Sequence, residues 1–148
     1  RKKFREDYTH AQRKTSPCRG EEMIDNPYFS IDEMKCQGTD ECNMNEAFIE
    51  KLIKIREELD RPMIINSAYR HPAHNSAIGG VKDSPHVYGR AVDVAAIGDV
   101  AYEVIRLGIK HGMTGIGVAQ RGVHDRRFIH LDDMSSDTHP RPWIWSYK

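Results

Sequence analysis

The chain has 148 residues, the length of one typical domain and enough to bury a core without support from disulfides. Its 22 Lys and Arg residues balance its 22 Asp and Glu residues, so the formal net charge is zero. This balance excludes a nucleic-acid binder that acts through bulk charge, and it excludes a polybasic membrane anchor. With 39% hydrophobic and 30% charged residues, the composition is typical of a globular protein.

The 3 cysteines are too few for a disulfide framework. Cys36 and Cys42 lie close enough in sequence to form a disulfide, and the alternative is two small buried side chains that pin a loop. No apolar run approaches the length of a membrane span, and no apolar segment typical of a signal peptide opens the chain. We therefore expect neither a membrane span nor a nucleic-acid partner.

Residues 1–22 are charged and polar without periodicity, which predicts an N-terminal extension before a single domain over residues 23–148. Ser30 followed by Glu33 has the spacing of a capping box at a helix start. Residues 45–59 carry apolar side chains at helical spacing, with charged side chains between them, and predict an amphipathic helix.

The middle of the chain predicts two strands and a second helix. A short apolar run at residues 63–65 predicts a strand, and residues 66–90 predict a long functional loop because Gly and Pro interrupt every regular pattern. A second strand follows over residues 91–97. We then expect a helix capped by Asp99 that runs to about Lys110 and stops at Gly112.

Two more strands are predicted at residues 115–118 and 127–131. In the tail, Trp143, Trp145 and Tyr147 predict aromatic packing over the domain, with a glycopeptide groove as the alternative. The pattern as a whole predicts an α+β fold: one small domain with a central antiparallel sheet flanked by helices.

Two of the predicted strands carry polar residues on one face. Alternation along residues 91–95 places Asp93 between two alanines, and alternation along the later strand places His130 opposite its apolar face. If these strands are neighbours with their polar faces aligned, Asp93 and His130 meet, and His86 can fold back over them. Two imidazoles and one carboxylate form a catalytic type of zinc site, with a fourth position open to water.

Each of these residues has a structural alternative. A single histidine at a strand end is more often a hydrogen-bonded structural residue, and a buried aspartate beside a loop is more often a turn anchor. The joint pattern on two strands favours a metal site over a metal-free α+β domain.

The chain also resembles a known family. The motif Ser84-x-His86-x-x-Gly89-x-Ala91-x-Asp93 resembles the first metal motif of the zinc D-alanyl-D-alanine carboxypeptidase family, which includes phage L-alanyl-D-glutamate endolysins and shares its fold with the hedgehog signalling domain. Residues 128–132 are similar to the second motif, and residues 67–81 to the substrate loop. The resemblance covers about residues 28–147, and it implies the hedgehog-like D,D-peptidase fold.

The resemblance implies that His86, Asp93 and His130 bind one zinc ion. It also makes Arg70 the clamp on a substrate carboxylate, a role that a bidentate guanidinium fills better than lysine. Ser84 would steady the loop or a substrate carbonyl, and Asn75 would be a turn residue or a loop-anchoring amide.

The general base departs from the family pattern. Many members carry Glu or Asp three residues before the third ligand, but this chain has Arg127 there, which cannot accept a proton. We rank Asp132 first as the base, followed by His124 and Asp125. Asp132 has a second possible role, as an acceptor that orients a ligand histidine.

These inferences predict a monomeric zinc peptidase that cleaves peptidoglycan stem peptides or cross-links. It would act on the cell wall, as a phage lytic or tail-associated enzyme or as a secreted bacterial enzyme, and as a carboxypeptidase or an endopeptidase. The alternative is a zinc-stabilised binding or virion-structural module of the same fold without activity.

Overall fold

The computed structural model describes Cys18–Arg19, Glu22–Met23 and residues 26–148. In chain order the elements of this part are β1 (Cys18–Arg19), β2 (Glu22–Met23), α1 (Ile31–Met34), β3 (Asn43–Met44), α2 (Glu46–Leu59), β4 (Ile64–Ser67), α3 (Pro72–Ala77), a 3-10 turn (Pro85–Tyr88), β5 (Ala91–Ala95), α4 (Gly98–Lys110), β6 (Gly115–Ala119), a second 3-10 turn (His124–Arg126), β7 (Phe128–Asp132) and β8 (Trp143–Ser146). The mixed α+β class is as predicted.

The central sheet has five strands in the order β4-β5-β7-β6-β8. Its first four strands are antiparallel neighbours, as predicted, whereas β8 pairs with β6 in parallel. A smaller sheet has the order β2-β1-β3. The predicted extension therefore contributes β1 and the first residue of β2 to the small sheet, and its residues 1–17 and 20–21 lie outside the described part of the chain.

The two predicted helices form because their apolar side chains recur at helical spacing. Asn45 caps α2 by accepting a hydrogen bond from the Phe48 amide at 3.0 Å. The capping box of Ser30 and Glu33 is present at α1. α4 begins two residues earlier than predicted, at Gly98, and Ile97 occupies its N-cap without a side-chain hydrogen bond. Asp99 is therefore not the cap.

One face of the central sheet carries the core. α2 and α4 pack against each other, and α4 packs against β7. The largest fully buried side chains lie in this layer and in the segments beside it: Phe48, Met34, Met44, Ile49, Leu52, Ile55, Leu107, Ile129, Leu131, Val92, Val94 and Val104. Because strand side chains alternate, covering this face with helices leaves the Asp93 and His130 face for a site.

The segment predicted as one long loop, residues 66–90, contains α3 and a 3-10 turn. Both are short, and each begins with proline at its first or second position, which places a fixed φ where the backbone N–H needs no partner. Helical periodicity cannot be recognised over so few residues, so the sequence pattern did not predict α3 or the 3-10 turn.

A disulfide between Cys36 and Cys42 is excluded. Cys36 is a free and fully buried thiol, and its sulfur accepts a hydrogen bond from the His71 amide at 3.3 Å. Cys42 takes part in a disulfide. The alternative of a buried residue that pins a loop therefore describes Cys36.

No helix in the described part of the chain has the length and apolar character needed to cross a membrane.

Candidate metal centre and substrate cleft

The pairing of β5 with β7 places Asp93 directly opposite His130. Both residues point away from the helical layer, as the alternation predicted. The Asp93 side chain is 15% exposed, and that of His130 is 4% exposed. The Nδ1 atom of His130 lies 3.1 Å from Oδ1 of Asp93.

His86 joins them from the 3-10 turn that precedes β5. Its Nδ1 lies 2.7 Å from the Ala68 carbonyl, and this contact orients the ring with Nε2 toward Asp93. Nε2 lies 3.3 Å from Oδ1 of Asp93. Ser84 holds the turn by accepting a hydrogen bond from the His86 amide at 3.3 Å.

Gly89 ends the turn and cannot be replaced without strain. Its φ is +67°, a left-handed conformation that favours glycine. A Cβ at this position would also collide with the Asn43 carbonyl of β3, and the Gly89 carbonyl accepts a hydrogen bond from the Asn45 amide at 2.9 Å. The small sheet thus supports the turn that carries His86.

The second ring nitrogen of His130 faces the opposite direction. Nε2 lies 2.8 Å from Oδ2 of Asp132. Arg141 grips the same carboxylate with two hydrogen bonds of 2.9 Å, from Nε to Oδ1 and from Nη2 to Oδ2. The Met134 amide donates a further bond of 3.2 Å to Oδ1. Asp132 is fully buried behind His130, so it is placed to orient the ring and not to face the cleft.

The electrostatics agree with two ionised carboxylates. Burial opposes ionisation of Asp93, but hydrogen bonds with His130 and His86 outweigh it and hold the pKa of Asp93 well below its usual range. Burial likewise opposes ionisation of Asp132, and His130 and Arg141 lower its pKa to about 2. The pKa of His130 is raised, because its bonds to Asp132 and Asp93 outweigh its burial.

The donor set fits zinc. One ligand atom from each of His86, Asp93 and His130 lies within 4.8 Å of the others. Each histidine has its other nitrogen engaged by an oxygen, which fixes the orientation of the ring as in known zinc sites. Two imidazole nitrogens and one carboxylate oxygen leave a fourth position open for water or substrate.

The predicted substrate residues lie beside this group. Arg70 lines the cleft, and two of its nitrogens are anchored: Nη1 donates to Oδ1 of Asn75 at 3.0 Å and Nη2 to Oγ of Ser67 at 3.3 Å. Asn75 is buried and donates to the Val81 carbonyl at 2.9 Å. Asn75 therefore anchors the loop and holds Arg70.

The cleft has a volume of about 620 Å³ and includes residues that sequence reasoning missed. Arg141, His139 and the rings of Trp145 and Tyr147 line it. The Trp145 ring lies 5.1 Å from that of His130. Trp143, Trp145 and Tyr147 recur at every second residue, which is the spacing of a strand. From the sequence, this pattern indicated only that the aromatic side chains pack over the domain.

The other two predicted bases lie outside the cleft. His124 and Asp125 are exposed in the second 3-10 turn, and neither lines the cleft. Arg127, which stands where the family carries an acid, donates two hydrogen bonds to the Gly122 carbonyl, at 3.1 Å from Nε and 2.8 Å from Nη2. It closes the turn between β6 and β7.

Residues 27–132 match the family model described as Peptidase M15. The matched segment contains all three candidate metal ligands and Arg70. No curated protein matches the chain in sequence.

Proposed function

The chain belongs to the Peptidase M15 family, and we propose that it is a zinc-dependent peptidase that cleaves peptide bonds in the stem peptides or cross-links of bacterial peptidoglycan. The observation that carries this proposal is the convergence of His86, Asp93 and His130 in a cleft beside Arg70. All four residues come from one chain, so the proposed site needs no residue from a second subunit, and we propose a monomer. The proposed substrate places the site of action at the cell wall, for a phage-derived or a secreted bacterial enzyme alike.

His86 through Nε2, Asp93 through Oδ1 and His130 through Nδ1 would hold the ion. A bound zinc ion supplies Lewis acidity, which lowers the pKa of a water molecule and polarises a carbonyl. The protein's contribution is orientation. The Ala68 carbonyl fixes the ring of His86, and Asp132 fixes that of His130. Arg141 holds Asp132 ionised and in place.

Arg70 would bind a carboxylate of the substrate on the leaving-group side. Asn75 and Ser67 hold the guanidinium from one side, so its remaining N–H groups are pre-oriented. We predict that Arg70→Lys raises KM about tenfold for peptides with a free terminal carboxylate, because one charge-assisted hydrogen bond and the planar fork are lost. Zinc content should stay unchanged. An unaltered KM would remove Arg70 from substrate binding.

Digestion of purified sacculi with the zinc-loaded protein, followed by mass spectrometry of the muropeptides, tests the proposal. We expect new amino and carboxyl termini that appear only with zinc. His86→Ala and Asp93→Ala should lose both zinc and activity, whereas His74→Ala, on α3 outside the cleft, should keep both. A protein without stoichiometric zinc would contradict the metal site.

A second candidate function is a zinc-stabilised binding or virion-structural module without activity. One observation favours it: among the described residues that line the cleft, the carboxylates are Asp83 and the candidate ligand Asp93, and Asp132 is sealed behind His130. Stoichiometric zinc without the release of new termini from sacculi would select this function over the peptidase.

A further inference from the structure

A second cavity adjoins the substrate cleft. It has a volume of about 590 Å³, and its lining includes Arg121, Arg126 and Lys148. Phe128 and Tyr147 line both cavities, so the two are adjacent. We call the space around these five residues the cationic groove.

The three cations of the groove are not neutralised by neighbouring residues. In the described part of the chain, none of them forms an ion pair or a side-chain hydrogen bond. Some exposed cations elsewhere in the described chain are paired, such as Arg61 with Asp99 and Lys110 with Glu58. In a chain of zero net charge, a concentration of unpaired positive charge beside a cleft attracts an anionic ligand.

Hydrogen bonds and ring packing hold the residues of the cationic groove in place. Arg127 closes the loop that carries Arg121 and Arg126, through its two hydrogen bonds to the Gly122 carbonyl. The rings of Phe128 and Tyr147 lie 5.1 Å apart and form the floor. The Tyr147 amide donates to the Val118 carbonyl at 3.0 Å, which fixes Tyr147 and its neighbour Lys148 against the sheet.

A glycine makes room for this floor. Gly117 lies opposite His130 in the pairing of β6 with β7. A Cβ at Gly117 would lie 2.7 Å from Nε1 of Trp145 and 2.8 Å from Cε2 of Tyr147. Because Gly117 has no side chain, the rings of Trp145 and Tyr147 can pack on the face of the sheet that carries Asp93 and His130.

The groove and Arg70 lie on opposite sides of the metal centre. Arg70 follows β4 at one edge of the sheet, whereas Lys148 follows β8 at the other edge, with Asp93 and His130 on strands between them. Phe128 precedes His130 by two residues on the same strand face, a rise of about 7 Å. An extended peptide advances about 3.3 Å per residue, so the groove begins about two residues from the metal centre.

We propose that the cationic groove binds a carboxylate on the acyl side of the substrate, two to three residues before the cleaved bond. This inference depends on the proposed function. A peptide held at its terminal carboxylate by Arg70 would cross the metal centre, lie over the rings of Phe128 and Tyr147, and place its acidic side chain between Arg121 and Arg126. The enzyme would then select acidic stem peptides over their amidated forms.

Peptides that differ in one group test this selectivity. One set carries glutamate at the second or third residue before the cleaved bond, and the matched set carries glutamine. We expect the wild-type protein to show a KM about two- to fivefold lower for the preferred glutamate peptide, as is typical of partly exposed charge pairs. High salt should reduce this preference.

The double variant Arg121→Gln/Arg126→Gln should lose the preference for the glutamate peptide. A control that removes two exposed charges from the helices, Lys54→Gln/Arg106→Gln, should keep the preference. Equal KM values for both peptide sets in the wild-type protein, or a preference that survives in the double variant, would overturn the inference while cleavage upholds the proposed function.

Calorimetry distinguishes failure of the groove inference from failure of the proposed peptidase function. Glutamate and glutamine peptides are titrated into zinc-free wild-type protein and into the double variant, where no cleavage occurs. Tighter binding of the glutamate peptide by the wild type alone supports the groove, and equal binding overturns it. Failure of the zinc-loaded protein to cleave either peptide set contradicts the peptidase and leaves this binding comparison intact.

Discussion

The orientation of the His130 ring distinguishes between two roles for Asp132, that of general base and that of an acceptor that orients the ring. The sequence places His130 and Asp132 on the same strand face, where a base and an orienting acceptor are equally compatible with the pattern. In the structure, Nδ1 of His130 faces Asp93 and Nε2 faces Asp132. Both carboxylate oxygens of Asp132 already accept hydrogen bonds from Arg141. This geometry favours the orienting role.

Asp132→Asn is predicted to weaken zinc binding about 10- to 100-fold, as is typical for the loss of an oxygen that orients a ligand histidine. Activity should fall with zinc occupancy and recover at saturating zinc. Competition with a fluorescent zinc chelator measures the affinity. Asp125→Asn, which changes an exposed carboxylate in the 3-10 turn before β7, is the matched control and should bind zinc like the wild type. Unchanged zinc affinity with lost activity at saturating zinc would restore Asp132 as the base.

At the scale of elements, the helical layer is tied together by Glu58 near the end of α2. Its carboxylate accepts hydrogen bonds from Lys110 at 2.8 Å and pairs with His111 at 2.6 Å, both at the end of α4. Lys110, and after it His111, lower the pKa of Glu58. The contact joins two helices whose packing covers the core side of the sheet.

We predict that Glu58→Gln lowers the melting temperature at pH 7, and that the difference from wild type is smaller at pH 3. The folded pKa of Glu58 lies below its unfolded value, so its stabilisation is present above the unfolded pKa of about 4.3 and is lost as the pH falls through the folded pKa. Thermal unfolding of the zinc-free protein at both pH values measures this. Glu57→Gln, exposed on the same helix turn, should show no such pH-dependent difference; a constant deficit in Glu58→Gln would point to packing instead of charge.

At the scale of the whole molecule, the sheet divides two tasks. One face buries the apolar core under α2 and α4, and the other carries the metal centre between Arg70 and the cationic groove. The chain is neutral as a whole, but Arg70 lines its cleft and Arg121, Arg126 and Lys148 line the adjoining cavity. A neutral composition therefore excludes binding through bulk charge without excluding an anionic substrate.

Zinc removal is predicted to destabilise the entire domain, because the ligands lie on two neighbouring strands and on the turn before them. A ligand at 100 times its Kd stabilises the folded state by about 2.7 kcal/mol, which corresponds to roughly 5–10 °C in melting temperature for a chain of this size. Calorimetric scans with and without chelator measure the shift. His86→Ala should abolish it, whereas His74→Ala should retain it. A wild-type protein that melts identically with chelator would contradict the metal site.

The sequence by itself determined the features that depend on neighbouring residues. The period of the apolar side chains defined α2 and most of α4, and the alternation along β5 and β7 placed Asp93 and His130 on one face. Residue type and spacing also indicated the candidate zinc ligands and Arg70. These signals are local, because helical and strand periodicities are set by residues within a few positions of one another.

Only the tertiary structure decided which atoms of these residues face one another. Arg141, Trp145 and Tyr147 reach the site because β8 adds to β6 in parallel, and no local pattern encodes that register. The same pairing turns the tail into one wall of the cleft and brings Lys148 beside Arg121 and Arg126. The role of Asp132 and the cationic groove depend on contacts between residues distant in sequence, and such contacts are fixed by packing and strand pairing, not by the periodicity of any single segment.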